Sequence, residues 1–376
     1  MQKDGISILK DLIRIDTVNP PGNEKNAAVY LAELLEPYGF RCQVQDLGDN
    51  RANLIAEIGG PEGPELQLNG HLDVVPVTGE WETDPFAAVV DGDRIYGRGS
   101  ADMKGGIAAM CEAAIRIALE GGPGKGRLKL LFVADEECSN LGTRYYLEHC
   151  KEGDYAIIGE PTDLRIAVAH RGVSRDCIDL IGTERHAALP EEEEDALSLA
   201  ARSILAFRNL NGRLKERTHK ILPAPSVAVT MVQGYEKDNV VPERVRLLLD
   251  FRILPGMTHE EVDRILDETL KDESIPNYEK RLHFYMPGGE IAADDPFVMQ
   301  CLEVRKQILG GDTKENVPFA FEATCIQCFL EQSGIRTIIC GPGSIHQAHT
   351  AGEYTSEEQV RKAADLYEAI VKEILK

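Results

Sequence analysis

Apolar runs in this chain break off directly into acids, and that narrows its fold sharply. Residues 128–134 form an almost wholly apolar run that ends in Asp135-Glu136-Glu137. Residues 155–158 form another, followed by Gly159-Glu160-Pro161, and the short run 66–68 precedes Gly70-His71-Leu72-Asp73. Such runs read as strands of a buried sheet. In open α/β sheets, ligand sites gather beyond the carboxyl ends of the strands. An α/β protein is therefore expected, with a central sheet whose strand ends collect carboxylates and imidazoles.

The chain has 376 residues, which suits about two domains. Helical spacing of Ile6, Leu9, Leu12 and Ile13 predicts a helix over 6–18, stopped by Pro20-Pro21-Gly22. A second helix is expected over 27–35, strands over 42–47 and 54–58, and a long Ala-rich helix over 105–119. From residue 173 the texture changes. Strands are expected over 173–181, 226–232, 244–254 and 282–285, and helices over 192–208 and 259–271. That β-α-β-β-α-β order predicts a small ferredoxin-like α+β domain inserted into the first. After Pro287-Gly288-Gly289 the α/β pattern resumes, with helices over 297–309 and 356–375 and a strand over 337–340. The expected division is a discontinuous catalytic domain of residues 1–172 and 288–376, and an insert of residues 173–287.

Five segments carry metal-type ligands: His71 with Asp73, Asp102 in the loop 97–106, Glu136 with Glu137, Glu160, and a histidine near 349. His71 and Asp73 are two apart at a strand end, which puts both side chains on one face. A zinc-bound histidine commonly passes its other ring N–H to a carboxylate, the part Asp73 can play. Asp102 lies between Gly97-Arg98-Gly99 and Gly105-Gly106, where glycines allow close backbone approach. One aspartate can bridge two ions ~3.5–4 Å apart. Adjacent glutamates diverge, so the natural division makes Glu137 a ligand and Glu136 a base. Near 349, His346 and His349 both remain candidates on their residues alone. Two imidazoles and three carboxylates, with one carboxylate left over, suit hydrolysis better than a structural metal knot. The glycine cluster lacks a phosphate-loop Gly-Lys-Ser/Thr, and no Gly-x-Ser-x-Gly elbow supports a serine nucleophile.

The charge balance excludes several partners. There are 63 acidic and 41 basic residues, a net charge of −22, which argues against nucleic acid or an anionic membrane. No run approaches the ~20 apolar residues of a membrane span, and the first residues lack a signal-peptide core. Nine scattered cysteines read as reduced thiols of a cytoplasmic protein. Cys325-x-x-Cys328 has no second pair to complete a zinc ribbon, and is expected to be two buried thiols. The run Glu191–195 is expected at a helix start, where negative charge suits the dipole.

Taken together, His71-Leu72-Asp73-Val74-Val75-Pro76, the 97–106 loop and Asp135-Glu136-Glu137 resemble the co-catalytic zinc amidohydrolases. That family includes acetylornithine deacetylases, succinyl-diaminopimelate desuccinylases, aminoacylases and glutamate-type carboxypeptidases. The resemblance runs over nearly the whole chain. It implies a zinc-peptidase-like catalytic domain with a lid and dimerisation insert. It implies two divalent ions, zinc favoured and cobalt the alternative, one on His71, Asp102 and Glu160 and one on Asp102, Glu137 and His349. It makes Glu136 the general acid and base, and Asp73 the orienter of His71. It implies a homodimer in which His186 serves the partner's site. Asn239-Val240-Val241-Pro242 and the segment 250–256 match the family's lid, which makes Asn239 and Arg252 substrate-binding, Arg252 through a carboxylate. Residues 321–327 are similar to the acetylornithine deacetylases, and by that likeness Glu322 faces a cationic group of a small N-acyl amino acid substrate. Dipeptides or carboxypeptidase substrates are the alternative, and a non-catalytic metal-binding scaffold is a further one, disfavoured because every ligand and Glu136 are present. One departure is plain: after His186 the family shows a glycine and an asparagine, whereas this chain has Glu191-Glu192-Glu193-Glu194-Asp195.

Overall fold

The computed structural model describes residues 3–150, 153–189, 195–312 and 314–376. The chain divides into two compact units. The first comprises Met1–Val168, Glu290–Phe321 and Cys325–Lys376, and the second Ala169–Gly289 with Glu322–Thr324.

The first unit is built on a mixed sheet flanked by helices. Along the sheet the strands run in the order Arg41–Gly48, Arg51–Gly59, Arg127–Val133, Glu65–His71, Tyr155–Ile158, Arg336–Ile339. The last four are mutually parallel, so their carboxyl ends share one edge of the sheet. Leu66, Leu68, Leu128, Leu130, Phe132, Ile157 and Ile338 are all buried between helical layers, which is why these strands read as apolar runs rather than alternating ones. His71 is the last residue of its strand, so the strand is longer than the 66–68 expected from sequence.

The helices follow their capping chemistry. Gly5–Arg14 is capped by Asp4, whose carboxylate accepts from Ser7 N at 2.9 Å, and Ile6, Leu9, Leu12 and Ile13 are buried. It ends at Arg14, five residues short of the Pro20-Pro21 stop expected from sequence, because Ile15 already turns to extended backbone. Gly105–Leu119 occupies the range expected and is buried on nearly all sides. Leu141–His149 is a helix that the sequence pattern did not reveal. It has few apolar residues at helical spacing, and only Gly142, Thr143 and Tyr146 are buried.

The second unit is a two-layer α+β fold. Its antiparallel sheet runs Ser226–Gln233, Arg244–Ile253, Gly172–Ile181, Tyr278–Met286, and the helices are Ala196–Leu214 and His259–Asp272. The chain order is β-α-β-β-α-β, as the sequence suggested. The first of these helices begins four residues later than expected. Asp195 is its N-cap and accepts from Ser198 N at 2.9 Å, so the acidic run precedes the helix, and Glu191–194 lie outside the described residues. All nine cysteines are free, with Cys325 and Cys328 both buried. No helix among the described residues is long and apolar enough to cross a membrane.

Glu331 illustrates a cost carried by the first unit. It lies in the short helix Gln327–Gln332 and accepts from Thr337 N at 2.8 Å. Burial, with the nearby charges of Asp295 and Glu290, outweighs the bond from Thr337 N and pushes its carboxyl up to about 7 from 4.5. A carboxyl whose folded value is raised costs stability as pH climbs from the unfolded value through the folded one. Glu331→Gln keeps the acceptor and removes the charge. The variant should match the parent near pH 4.5 and exceed it by roughly 2 kcal/mol above pH 7, after discounting for partial exposure. Denaturant unfolding across that window measures the difference.

Candidate metal centre

The shared strand edge gathers the candidate residues of the first unit. His71 ends its strand, and Asp135-Glu136-Glu137 follows the neighbouring one. Glu160 lies two residues past Ile158. The segment after Ile339 leads round to His349. Two ligand sets result: His71, Asp102 and Glu160, and Asp102, Glu137 and His349, with the atoms of each set within 4.8 Å of one another. Asp102 belongs to both. Glu136 belongs to neither, and neither does His346.

The hydrogen-bond geometry tests whether cations fit. His71 Nδ1 lies 2.9 Å from the carbonyl oxygen of Asp73 and donates its proton there. A neutral ring then turns the Nε2 lone pair toward Asp102 Oδ1 at 3.0 Å and Glu160 Oε1 at 3.7 Å. His349 Nε2 faces Glu137 Oε1 at 3.1 Å and Asp102 Oδ2 at 3.3 Å. A lone pair aimed at carboxylate oxygens is repulsive unless a proton or a metal cation lies between them. Without a metal the proton supplies that charge. Hydrogen bonds to Asp102 and Glu137 push His349 up to about 10. Burial opposes the charge on His71, yet Asp102 and Asp73 still hold it well above its usual value. The donor set therefore fits two divalent cations of the borderline type that imidazole and carboxylate share.

The carboxylates also crowd one another. Burial, then the charge of Asp102, raises Glu137 and lifts Glu160 well above the usual range. Burial is the main cause that pushes Glu136 up to about 8. Asp102 behaves oppositely: burial works against its charge, but bonds from His349 and His71 hold it low.

Asp73 has a broader part than the orienting one read from sequence. Its carboxylate stands 3.6 Å from His71 Nδ1, farther than its own backbone carbonyl. The closer partners are the backbone N–H groups of Glu136 at 3.0 Å and Glu137 at 3.1 Å, and Asn19 Nδ2 at 2.9 Å. Asn19 also donates to Asp135 Oδ1 at 2.8 Å and accepts from Arg51 Nη2 at 2.7 Å. Arg51 Nη1 reaches Glu24 and Asp135, each at 2.8 Å. Asp135 itself holds a left-handed φ of 65°, a conformation aspartate tolerates better than most residues. Asn19 comes into place because residues 17–19 run beside Val74: Val74 N donates to Thr17 O, and Asn19 N to Val74 O. Lys104, also missed, is buried and donates to Leu12 O and Ile15 O, both at 2.9 Å, which ties the first helix to the Asp102 loop.

Gly106 serves packing. A Cβ at Gly106 would lie 2.3 Å from the carbonyl oxygen of Gly159. Its absence lets the Gly105–Leu119 helix press against the turn that carries Glu160.

In the second unit, His186 and Asn239 meet through the strand pair Arg185–His186 and Val240–Val241. Ala188 N donates to His186 Nδ1 at 3.1 Å, so the proton of the neutral ring sits on Nε2. Asn239 Nδ2 stands 3.2 Å from Nε2; two donors cannot share a hydrogen bond, so this ring tautomer requires the amide turned to present its oxygen there. Arg252 donates through Nε to Asp250 Oδ1 at 2.6 Å, an ion pair along its own strand that sequence did not suggest. Glu322 is exposed just after the strand Phe319–Phe321.

An acidic cluster buried at the parallel edge of a mixed sheet, with its imidazole lone pairs turned onto carboxylates, is the work of a metal-dependent hydrolase. Comparison makes the class definite. The chain belongs to peptidase family M20/M25/M40, whose family description matches residues 67–373. Enzymes of this family depend on a dinuclear metal centre. Among curated relatives, an acetylornithine deacetylase of Aliivibrio salmonicida is 32% identical over 351 residues, covering 90% of this chain and 89% of the relative. Among solved structures, an M20 metallo-carboxypeptidase of Sulfolobus solfataricus superposes with a TM-score of 0.80 at 20% identity, over 98% of this chain and 99% of that one. A Bacillus subtilis protein described as a dinuclear metal binding peptidase has a TM-score of 0.73 at 17% identity, over 99% and 97%. Asn19 and Arg51 lie outside the matched span 67–373.

Asn19→Ala removes two donors from buried carboxylates at once. It should lower unfolding free energy by about 2 kcal/mol. It should also cut kcat at least about tenfold with little change in KM, since the brace acts on the Glu136 backbone rather than on substrate. Steady-state kinetics on the folded variant check this, and an unchanged kcat would remove the brace from function.

Proposed function

We propose that this hydrolase cleaves the amide bond of a small N-acyl amino acid, with an N-acetylated cationic amino acid such as acetylornithine favoured. One observation carries the proposal: two ligand sets share Asp102, while Glu136 stands beside them in neither. The similarity to curated acetylornithine deacetylases over most of the chain supports the substrate class.

Two divalent ions, zinc favoured and cobalt the alternative, would be held by His71, Asp102 and Glu160 and by Asp102, Glu137 and His349; when bound they supply polarisation of a carbonyl and acidification of a water. Glu136 takes the proton of the attacking water and delivers it to the leaving amine nitrogen. Its burial, which disfavours the charged form, suits a carboxyl that must both accept and donate near neutral pH. Asp73 fixes the backbone from which Glu136 projects. His186, offered by a second copy in a homodimer formed through the inserted lid, hydrogen-bonds the developing oxyanion through Nε2–H, a contribution of roughly 3 kcal/mol. The Ala188 N–H on Nδ1 fixes that tautomer, and the oxyanion takes the place of Asn239 at Nε2. Arg252 receives the substrate carboxylate through Nη1, the guanidinium nitrogen that Asp250 leaves open. Glu322 faces the cationic end of the substrate. The domain roles follow the boundaries 1–172 and 288–376 for catalysis and 173–287 for lid and dimer. The reduced cysteines suit a cytoplasmic setting.

A second reading, dipeptidase or carboxypeptidase with the same centre, is favoured by the likeness to the Sulfolobus metallo-carboxypeptidase fold. A panel of acetylornithine, acetylmethionine, succinyl-diaminopimelate and simple dipeptides separates the two. Highest kcat/KM is expected on acetylornithine, and preference for dipeptides would select the second reading. Glu322→Gln should raise KM for cationic substrates only; equal effects on acetylmethionine would remove that assignment. Glu136→Ala should retain two metals per chain by elemental analysis and lose about 10²–10⁴-fold in turnover. Substantial residual activity with both metals bound would remove Glu136 as the base.

A further inference from the structure

Glu353 is a buried carboxylate with no part in either ligand set. It is 1% exposed. Its Oε1 accepts from Ala101 N at 2.9 Å and from Asp102 N at 3.1 Å. Its Oε2 accepts from Gly99 N at 2.9 Å and from Arg98 Nη1 at 2.7 Å. Its backbone carbonyl accepts from Gly97 N at 3.0 Å. Five donors of one loop thus converge on one residue.

That loop needs an external hold. Gly99 turns left-handed with φ 81°, and Asp102, with φ −119° and ψ 95°, and Met103, with φ −131° and ψ 35°, both leave helical backbone within the turn 100–104. No sheet ladder fixes the Asp102 backbone, yet its two oxygens must part, Oδ1 toward His71 and Oδ2 toward His349. Arg98 extends the hold to the other ligand segments. Nη2 donates to Pro76 O at 3.3 Å, just past His71 and Asp73, and Nη1 to Thr350 O at 3.4 Å, next to His349. The Trp81 ring covers the guanidinium at 5.3 Å. The segment leading to Glu353 also carries His349, so two of the three ligands of the second set, Asp102 and His349, are referenced to one carboxylate.

We infer that Glu353 is a positioning residue for the bridging ligand: together with Arg98 it fixes the 97–102 backbone so that Asp102 serves both ligand sets at once. This rests on the reading that each set holds a cation. A carboxylate is needed because a glutamine offers one acceptor oxygen for four donors, and its amide would face the Arg98 guanidinium donor to donor. It would also leave Arg98 in the interior without a counter-charge.

The test is metal titration of the full-length protein, stripped of metal and refilled with Zn²⁺ or with Co²⁺ read by its visible absorption. Parent, Glu353→Gln and Arg98→Lys are compared, with thermal unfolding of each metal-free form alongside. The parent should take up two equivalents. Glu353→Gln should weaken uptake of the second equivalent by about 10–100-fold and alter the Co²⁺ spectrum, as loss of an outer-layer support does. Arg98→Lys, which keeps the charge but not the reach to Pro76 and Thr350, should do the same to a lesser degree, and it decides the matter if the glutamine variant does not fold. Variants that lose metal-free stability but bind both equivalents as the parent does would overturn the inference, leaving Glu353 a purely structural residue. A parent that takes up fewer than two equivalents overturns the two-cation reading and this inference with it.

Discussion

Carboxylates that share a small buried space repel one another, and the first unit concentrates Asp73, Asp102, Asp135, Glu136, Glu137 and Glu160 at one sheet edge. Four parallel strands end there, so residues far apart in sequence arrive together whether or not their charges agree. Burial and mutual repulsion lift Glu136, Glu137 and Glu160, while His71 and His349 are drawn toward their charged forms. Such a cluster is stable only with positive charge in its midst, from protons or from cations. The chemistry of the centre follows from that constraint. Two cations held as proposed would satisfy the imidazole lone pairs and the shared Asp102, and Glu136 belongs to neither ligand set.

Around the centre, hydrogen bonds do the positioning that regular structure cannot. The ligands sit on strand ends and loops, where ladders stop. Asp73 holds the N–H groups of Glu136 and Glu137. Asn19 and Arg51 hold Asp73 and Asp135 in turn, and Glu353 with Arg98 holds the Asp102 loop. Asp73, Asn19, Glu353 and Arg98 are buried, so each lost partner there leaves an unsatisfied polar group whose cost exceeds that of an ordinary surface bond.

His71, Glu137 and Glu160 were legible as candidate ligands because each follows an apolar run that reads as a buried strand; Asp102 was marked only by its glycine-rich loop, and the family resemblance alone selects His349 over His346. The long helix over 105–119 and the four-residue strand before Glu160 were legible for the same reason. The supports were not. Asn19 sits in a Pro-rich turn, Arg51 opens an amphipathic strand and Glu353 follows a glycine, and nothing local tells a brace from a surface residue. Their meaning lies in pairings across 54 to 116 residues for Asn19 and about 250 for Glu353. The Leu141–His149 helix escaped for a different reason: its buried side is too small to mark a helical period. In the second unit the acidic run suggested a helix start at 192, but Asp195 supplies the cap and the helix begins after it. The Arg252–Asp250 pair was hidden because a spacing of two along a strand reads as a shared face rather than as an ion pair.

The most direct measurement is anomalous scattering from crystals of the metal-loaded protein, for the parent and for Asp102→Ala. Two peaks about 3.5–4 Å apart, one on either side of the Asp102 carboxylate, are expected in the parent, and both should weaken together in the variant. A single peak in the parent, or two in the variant at parental strength, would contradict a centre built on one shared carboxylate.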